Sequence, residues 1–336
     1  MTSTGKGKKS GESDQIVLHS PPSPHLHDQS DSRRIMQEVL IALAPAILGS
    51  IYIYGSVVLP YYFIAIIVAV SLDFIWRKFV RRTPYRFDWT PVVTGVLLAM
   101  SLPANAPLWF PVLGVAVAVI AAKEAFGGTG KNFINPAIAG RLVLRLLFVE
   151  QMTQNVWPRS GIPVPAQVDA LSGATPLMIL KDGEALDSAS LAATIFGNTG
   201  GKIGETSAIL LMVGAAYLLW RRVIRWRIPT AILATIALCA FVIGFSSNQT
   251  GELPSFIAGH LFGGATMLGA FFMATDYASS PSTRAGQIAF GIGVGVLTMA
   301  YRYFGAYSEG FTFALFLMNL SVPLLNRWTM PRVIGR

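Results

Sequence analysis

The chain has 336 residues, of which 53% are hydrophobic and only 13% charged. Soluble domains carry about a quarter charged residues, so composition excludes an ordinary water-soluble enzyme and points to a membrane-embedded protein. The formal net charge of +9 comes from basic residues grouped at Arg77-Lys78, Arg81-Arg82 and Arg86, at Arg221-Arg222, Arg225 and Arg227, and at Arg327, Arg332 and Arg336. The short loops 55–57, 103–108 and 246–255 hold no Lys or Arg. That alternation is the positive-inside pattern of membrane proteins, and no nucleic-acid partner is expected.

In chain order, residues 1–34 form a tail, rich in Ser, Pro, Gly, Lys and His over its first 30 positions. The tail is expected to be disordered and cytoplasmic, without the apolar core of a secretory signal. Apolar runs then predict about ten transmembrane helices. They lie at 35–55, 57–76, 90–102, 109–126, 133–149, 204–220, 227–246, 256–275, 286–304 and 308–325. With a cytoplasmic amino terminus every strongly basic loop falls inside, and both termini share that side. The 150–203 loop, which carries more Asp and Glu than Lys and Arg, falls outside.

The run from Gly95 to Pro107 is echoed by that from Gly269 to Pro281, each closing an apolar segment in a Ser/Thr, Ala and Pro turn. The expected fold is an all-α integral membrane protein of two inverted five-helix repeats, 35–149 and 204–326, with a cytoplasmic tail at 327–336.

Little conventional catalytic chemistry is legible. Cys239 stands alone in an apolar run, and the four histidines lack ligand spacing, so no metal centre is expected. The Gly127-Gly128-Thr129-Gly130-Lys131 stretch lacks both the Gly-Lys-Ser/Thr ending and the preceding strand of a phosphate-binding loop. Asn132 and Asn135 follow it before Pro136, where they are either helix caps or hydrogen-bonding groups of a buried site. Among ionisable residues inside predicted spans, Asp73 is one turn from Arg77, Glu124 adjoins Lys123, and Arg141 and Arg145 share a helical face. Local ion pairs are the expected role of the acids, and snorkelling that of Arg145.

Four segments carry a resemblance: Asp169-Ala170-Leu171-Ser172-Gly173-Ala174-Thr175-Pro176-Leu177; Gly130-Lys131-Asn132 with Asn135-Pro136-Ala137 and Gly140-Arg141; Met273-Ala274-Thr275-Asp276 with Ser280-Pro281; and Tyr307 to Gly310 with Met318-Asn319-Leu320. Taken in chain order they resemble the RnfD/NqrB family, over about Pro22 to Asn326, and the short amino-terminal segment favours the Rnf branch. The family usually has Pro where Tyr277 stands, which puts the geometry of that turn in question.

The resemblance implies a flavin-carrying membrane component of an ion-translocating ferredoxin:NAD oxidoreductase, coupled to Na⁺ or H⁺. It implies FMN joined covalently to Thr175 as a phosphoester, installed by a separate flavin transferase from FAD, since no His or Cys beside Thr175 activates its hydroxyl. The residue reading alone also allows an ordinary Gly-containing turn there. Asn132, Asn135 and Asp276 are expected to line a second polar site, for riboflavin, another noncovalent flavin or a coupling ion. The implied partners are a flavin-bearing protein of the RnfG type, membrane proteins of the RnfA and RnfE types, iron–sulfur and NAD-binding proteins of the RnfB and RnfC types, and membrane lipid. The implied location is a bacterial or archaeal cytoplasmic membrane. An inverted-repeat solute channel or transporter without redox function fits the same hydropathy, but does not need the Thr175 loop.

Overall fold

Proline marks where helices begin in this chain. It occupies the first or second helical position of α2 (Leu59–Ile75), α3 (Thr90–Met100), α5 (Pro136–Leu147), α7 (Pro176–Lys181) and α11 (Leu253–Phe262). The missing N–H costs nothing at those positions, where it would have no intrahelical partner. The computed structural model describes residues 29–154, 175–205, 207–247, 252–305 and 308–330. Among them the secondary structure is helical, apart from an isolated antiparallel bridge between Pro103 and Lys202.

The first long helix is α1 (Gln29–Tyr54), which ends at Gly55 with φ +76°, where a short 3₁₀ turn leads into α2. α4 (Trp109–Ala116) continues as a π-helical stretch, Val117–Glu124. Three short helices occupy the segment expected as an outer loop: α6 (Val149–Thr153), α7, and α8 (Ser188–Phe196). Then follow α9 (Ala208–Trp220), α10 (Arg227–Ser246), α11 and the short α12 (Thr266–Leu268), which runs on as π-helix to Met273. The described chain closes with α13 (Arg284–Phe304) and α14 (Phe311–Thr329).

α2 packs on α3 and α4, and α4 on α5; α10 packs on α11 and α13, and α13 on α14. α1 lies against α9, and α5 against α14. The core between them is apolar, with Leu43, Leu98, Phe110, Phe256, Phe290 and Phe311 fully buried. Outward faces carry Leu48, Phe63, Ile67, Leu238 and Phe245, each more than 60% exposed, as a lipid-facing surface requires.

Two stretches are long and apolar enough to cross a bilayer unaided: Ser32–Val80, interrupted at Gly55, and Arg227–Ser246. A third possibility is the split pair Leu253–Phe262 and Thr266–Met273, bent by 59°. Of the other expected spans, α3 and α9 are shorter, with 11 and 13 residues, whereas α13 and α14 have 21 and 19.

The span expected as continuous over 256–275 is therefore broken at Gly263–Ala265. The expected tail ends earlier than 34, since α1 already begins at Gln29, and α14 carries the chain to Thr329 rather than 326. The disorder expected for the tail, and the Ser172-Gly173-Ala174 portion of the outer motif, fall outside the described residues.

Candidate functional site

Pro176 disfavours a helical backbone for the residue before it, and Thr175 adopts φ −72°, ψ 155° as the N-cap of α7. Its carbonyl accepts from Met178 N at 2.8 Å and Ile179 N at 3.2 Å, while its side chain makes no capping hydrogen bond. The sequence predicts an exposed side chain here. It is instead 9% exposed and lines a cavity of about 500 Å³, together with Arg145, Lys181, Lys202, Glu205, Glu309 and the Phe262-Gly263-Gly264 turn.

The cavity floor is ionic. Arg141 donates to Glu205 and, at 2.5 Å, to Glu309, whose other oxygen accepts from Arg145 at 3.2 Å. Lys202 Nζ donates to the carbonyls of Met152 at 2.7 Å and Gln154 at 2.8 Å. The tertiary fold assembles these groups from distant parts of the chain. The 202–205 segment is docked on the end of α3 by Ile203 N to Leu102 O at 2.9 Å and Gly204 N to Met100 O at 2.7 Å. Burial pulls the Lys202 ammonium down to about 8, against the raising influence of Glu309 and Glu205.

The cavity lining carries Arg145, Lys181 and Lys202 against Asp182, Glu205 and Glu309, and Arg141, paired to Glu205 and Glu309 from behind, leaves one positive charge in excess. Buried charge of one sign is costly unless an opposite charge answers it. The cavity thus favours a monoanion beside the Thr175 hydroxyl. Arg145, expected to snorkel, is 4% exposed and pairs inward with Glu309. Glu205, the partner of Arg141, and Glu309, the partner of both arginines, were missed from sequence; each sits at the first turn of a predicted span, which gave no hint that both turn inward.

At the other end of α5, Asn132 meets Asp276, whereas Asn135 joins them only through Asn319 and Ser279. Asn135 caps α5, its Oδ1 accepting from Ala137 N at 3.0 Å and Ile138 N at 3.3 Å. Its Nδ2 donates to Met273 O at 3.1 Å, beyond the split span. Asn132 Nδ2 reaches Asp276 at 3.4 Å, and Ser279 Oγ donates to the same carboxylate oxygen at 2.9 Å. Asn319 of α14 completes the set, accepting from Asn135 N at 3.3 Å and donating to Ser279 O at 2.8 Å. Capping and inter-element bridging are thus done by one side chain, Asn135. Asn319 was visible in the last motif but carried no assigned role.

Asp73 and Glu124 sit in a third cluster. Lys123 pairs with Asp73 at 2.8 Å rather than with its neighbour Glu124, which faces Arg77 at 3.6 Å and Arg81 at 3.5 Å. Arg77 also reaches Asp73 at 3.3 Å and Asp88 at 3.0 Å. The π-helical turn that ends at Glu124 places Lys123 and Glu124 on different partners. Three cations against three acids make this cluster neutral, a latch rather than an ion trap. No group of three or more His, Cys, Asp or Glu suited to a metal ion occurs among the described residues.

A helical membrane protein with a split span, a buried ionic cavity on one side and a polar bridge on the other is the class defined by this geometry. The chain belongs to the NQR2, RnfD, RnfE family, which it matches over residues 19–335. It is 41% identical to the D component of the Na(+)-translocating ferredoxin:NAD(+) oxidoreductase complex of Acetobacterium woodii, over 96% of each chain. It is 34% identical to the D component of the ion-translocating oxidoreductase complex of Escherichia coli, over 95% of this chain and 99% of that protein. The same identity and coverage relate it to the corresponding protein of Salmonella paratyphi A.

Proposed function

We propose that this chain is the flavin-bearing membrane component of an ion-translocating oxidoreductase complex of the ferredoxin:NAD type, and that Thr175 holds FMN as a phosphoester. The observation that carries this reading is the Thr175 side chain, uncommitted to capping and opening on an ionic cavity whose cations, with Arg141 behind it, exceed its carboxylates by one. A cavity of about 500 Å³ lies within the ~300–1,000 Å³ usual for ligand sites. A phosphodiester carries one negative charge, the complement of the single surplus cation around Arg145 and Lys202. The residues therefore fit the group.

When bound, the flavin supplies the electron-carrying chemistry. The protein's part is to hold the phosphate with Arg145 and Lys202 and to orient α7 through Lys181 Nζ donating to Gly305 O at 2.7 Å. In attachment, the Thr175 oxygen displaces AMP from the pyrophosphate of FAD on a separate transferase. The new P–O bond replaces the pyrophosphate bond, and the hydroxyl proton passes to a base of that enzyme.

The same reading takes the helices as ten spans in two inverted five-helix repeats. It is supported by equivalent packing in the two halves, α2 on α3 and α4 in one and α10 on α11 and α13 in the other. Both termini then face the cytoplasm, and Thr175 faces outward across the bacterial or archaeal cytoplasmic membrane. Partners of the RnfA, RnfB, RnfC, RnfE and RnfG types supply the iron–sulfur, nicotinamide and further flavin steps. Asn132, Asn135 and Asp276 serve a second flavin, riboflavin or the coupling Na⁺ or H⁺.

The test is whether the denatured polypeptide fluoresces as a flavoprotein on a gel. Thr175→Ala and Thr175→Val are expected to lose the fluorescent band while the protein stays in the membrane. Ser172→Ala is expected to keep it. Persistent covalent fluorescence in Thr175→Ala refutes the assignment.

A further inference from the structure

Arg302 of α13 is 1% exposed, yet no carboxylate among the described residues forms an ion pair with it. A buried guanidinium is costly unless its N–H groups are satisfied. Here the two terminal nitrogens converge on the break of the split span, while Nε has no hydrogen-bond partner among the described residues. One terminal nitrogen donates to His260 O at 2.7 Å; the other donates to Thr266 Oγ1 at 2.6 Å and Gly263 O at 3.3 Å. The carbonyls of His260 and Gly263 are among those left without helical partners where α11 stops.

The next residue ties the same end of α13 to the helix that Thr175 caps. Tyr303 Oη donates to Leu180 O of α7 at 3.3 Å and lies 3.1 Å from His260 Nε2. Gly263 and Gly264, at the break that Arg302 holds, line the same cavity as Thr175.

We propose that Arg302 is a positioning residue for the Thr175 cavity. It pins the break of the split span to α13, and its unneutralised charge behind the Gly263 wall keeps the cavity at a positive potential. That potential favours the more negative, reduced form of a bound electron carrier. The proposal rests on reading Thr175 as the attachment point of such a carrier.

The full chain in detergent micelles is compared with Arg302→Gln, Arg302→Lys and Thr266→Val. The readouts are amide hydrogen exchange over 259–268 and the midpoint potential of the covalently held flavin. Arg302→Gln is expected to speed exchange at the break by roughly tenfold or more, as loss of charged hydrogen bonds to a helix end implies, and to lower the potential. Arg302→Lys should speed exchange, because an ammonium lacks the planar fork, while keeping the potential near that of the parent. Thr266→Val should give a smaller rise in exchange and an unmoved potential; it carries the test should the Arg302 variants fail to fold.

Unchanged exchange in the variants overturns the proposal. Faster exchange in Arg302→Gln with an unmoved potential overturns it too, reducing Arg302 to a structural pin. A parent chain without covalent flavin refutes the Thr175 reading instead, and the exchange measurements still judge the pin.

Discussion

Asp88 shows how neighbours decide the state of a carboxylate. Burial alone would raise its pKa, but the charges of Lys123 and Arg77 and hydrogen bonds from Arg77 and Thr129 outweigh that and hold it below the usual carboxylate range. A depressed folded value stabilises the protein above the unfolded pKa of about 4, and the contribution disappears as pH falls through the folded value. Acidification from pH 5 to pH 2 is therefore expected to lower the thermal midpoint of the parent in micelles. Asp88→Asn should start less stable at pH 7 and lack this part of the acid limb. An acid limb that superimposes on the parent's rules out the assigned role. The sequence showed Asp88 only as a loop acid. Its hydrogen-bonding partners Arg77 and Thr129 lie 11 and 41 positions away, and the charge of Lys123, 35 positions away, acts on it only in the folded chain.

At the scale of elements, two glycines separate close packing from spare room. A Cβ at Gly214 would collide with the backbone carbonyl of Ala42, where α9 crosses α1. A Cβ at Gly293 would meet the Sδ of Met318 at 2.6 Å, the far end of a flexible side chain that can turn away. Gly214→Ala is expected to cost about 1–3 kcal/mol through forced separation of α1 and α9. Gly293→Ala should be near neutral, helped by the better helix propensity of alanine. Denaturant unfolding of the two variants in mixed micelles compares them directly, and equal losses would show that the α1–α9 approach is soft. Small residues were visible in the sequence, but not which of them faces another backbone. The break at Gly263-Gly264 was likewise written in the chain yet masked by the apolar residues on either side.

At the scale of the molecule, the polar bridge joins segments nearly two hundred residues apart. Asn135 of α5 meets Asn319 of α14 and the Met273 carbonyl beyond the split span, while Asn132 meets Asp276. Alanine at Asn132, Asn135 or Asp276 is expected to impair ion-coupled electron transfer in the assembled complex and to leave covalent fluorescence and assembly intact. Full coupled activity in each variant returns these residues to capping and turn-forming duties. Sidedness has its own check. A reporter fused after Arg336 should be active only in the cytoplasm, and one inserted in the 182–187 turn only outside. Reversed labelling would put Thr175 on the wrong face of the membrane.

Composition, basic clusters and proline-punctuated apolar runs were enough to establish a helical membrane protein, because the scarcity of charge and the need for internally satisfied backbone act on each segment locally. The order of four short motifs was enough for the family. Which charges answer one another was decided only in three dimensions. Arg141 and Arg145 read as repelling neighbours on one helix, and become stable through Glu205 and Glu309, brought from the start of α9 and the start of α14. Thr175 read as an exposed acceptor, and proved to line a cavity because α7 packs against α11. Hydropathy records how each residue prefers to meet water or lipid, whereas the pairing of buried charges depends on contacts that form only when distant helices close on one another.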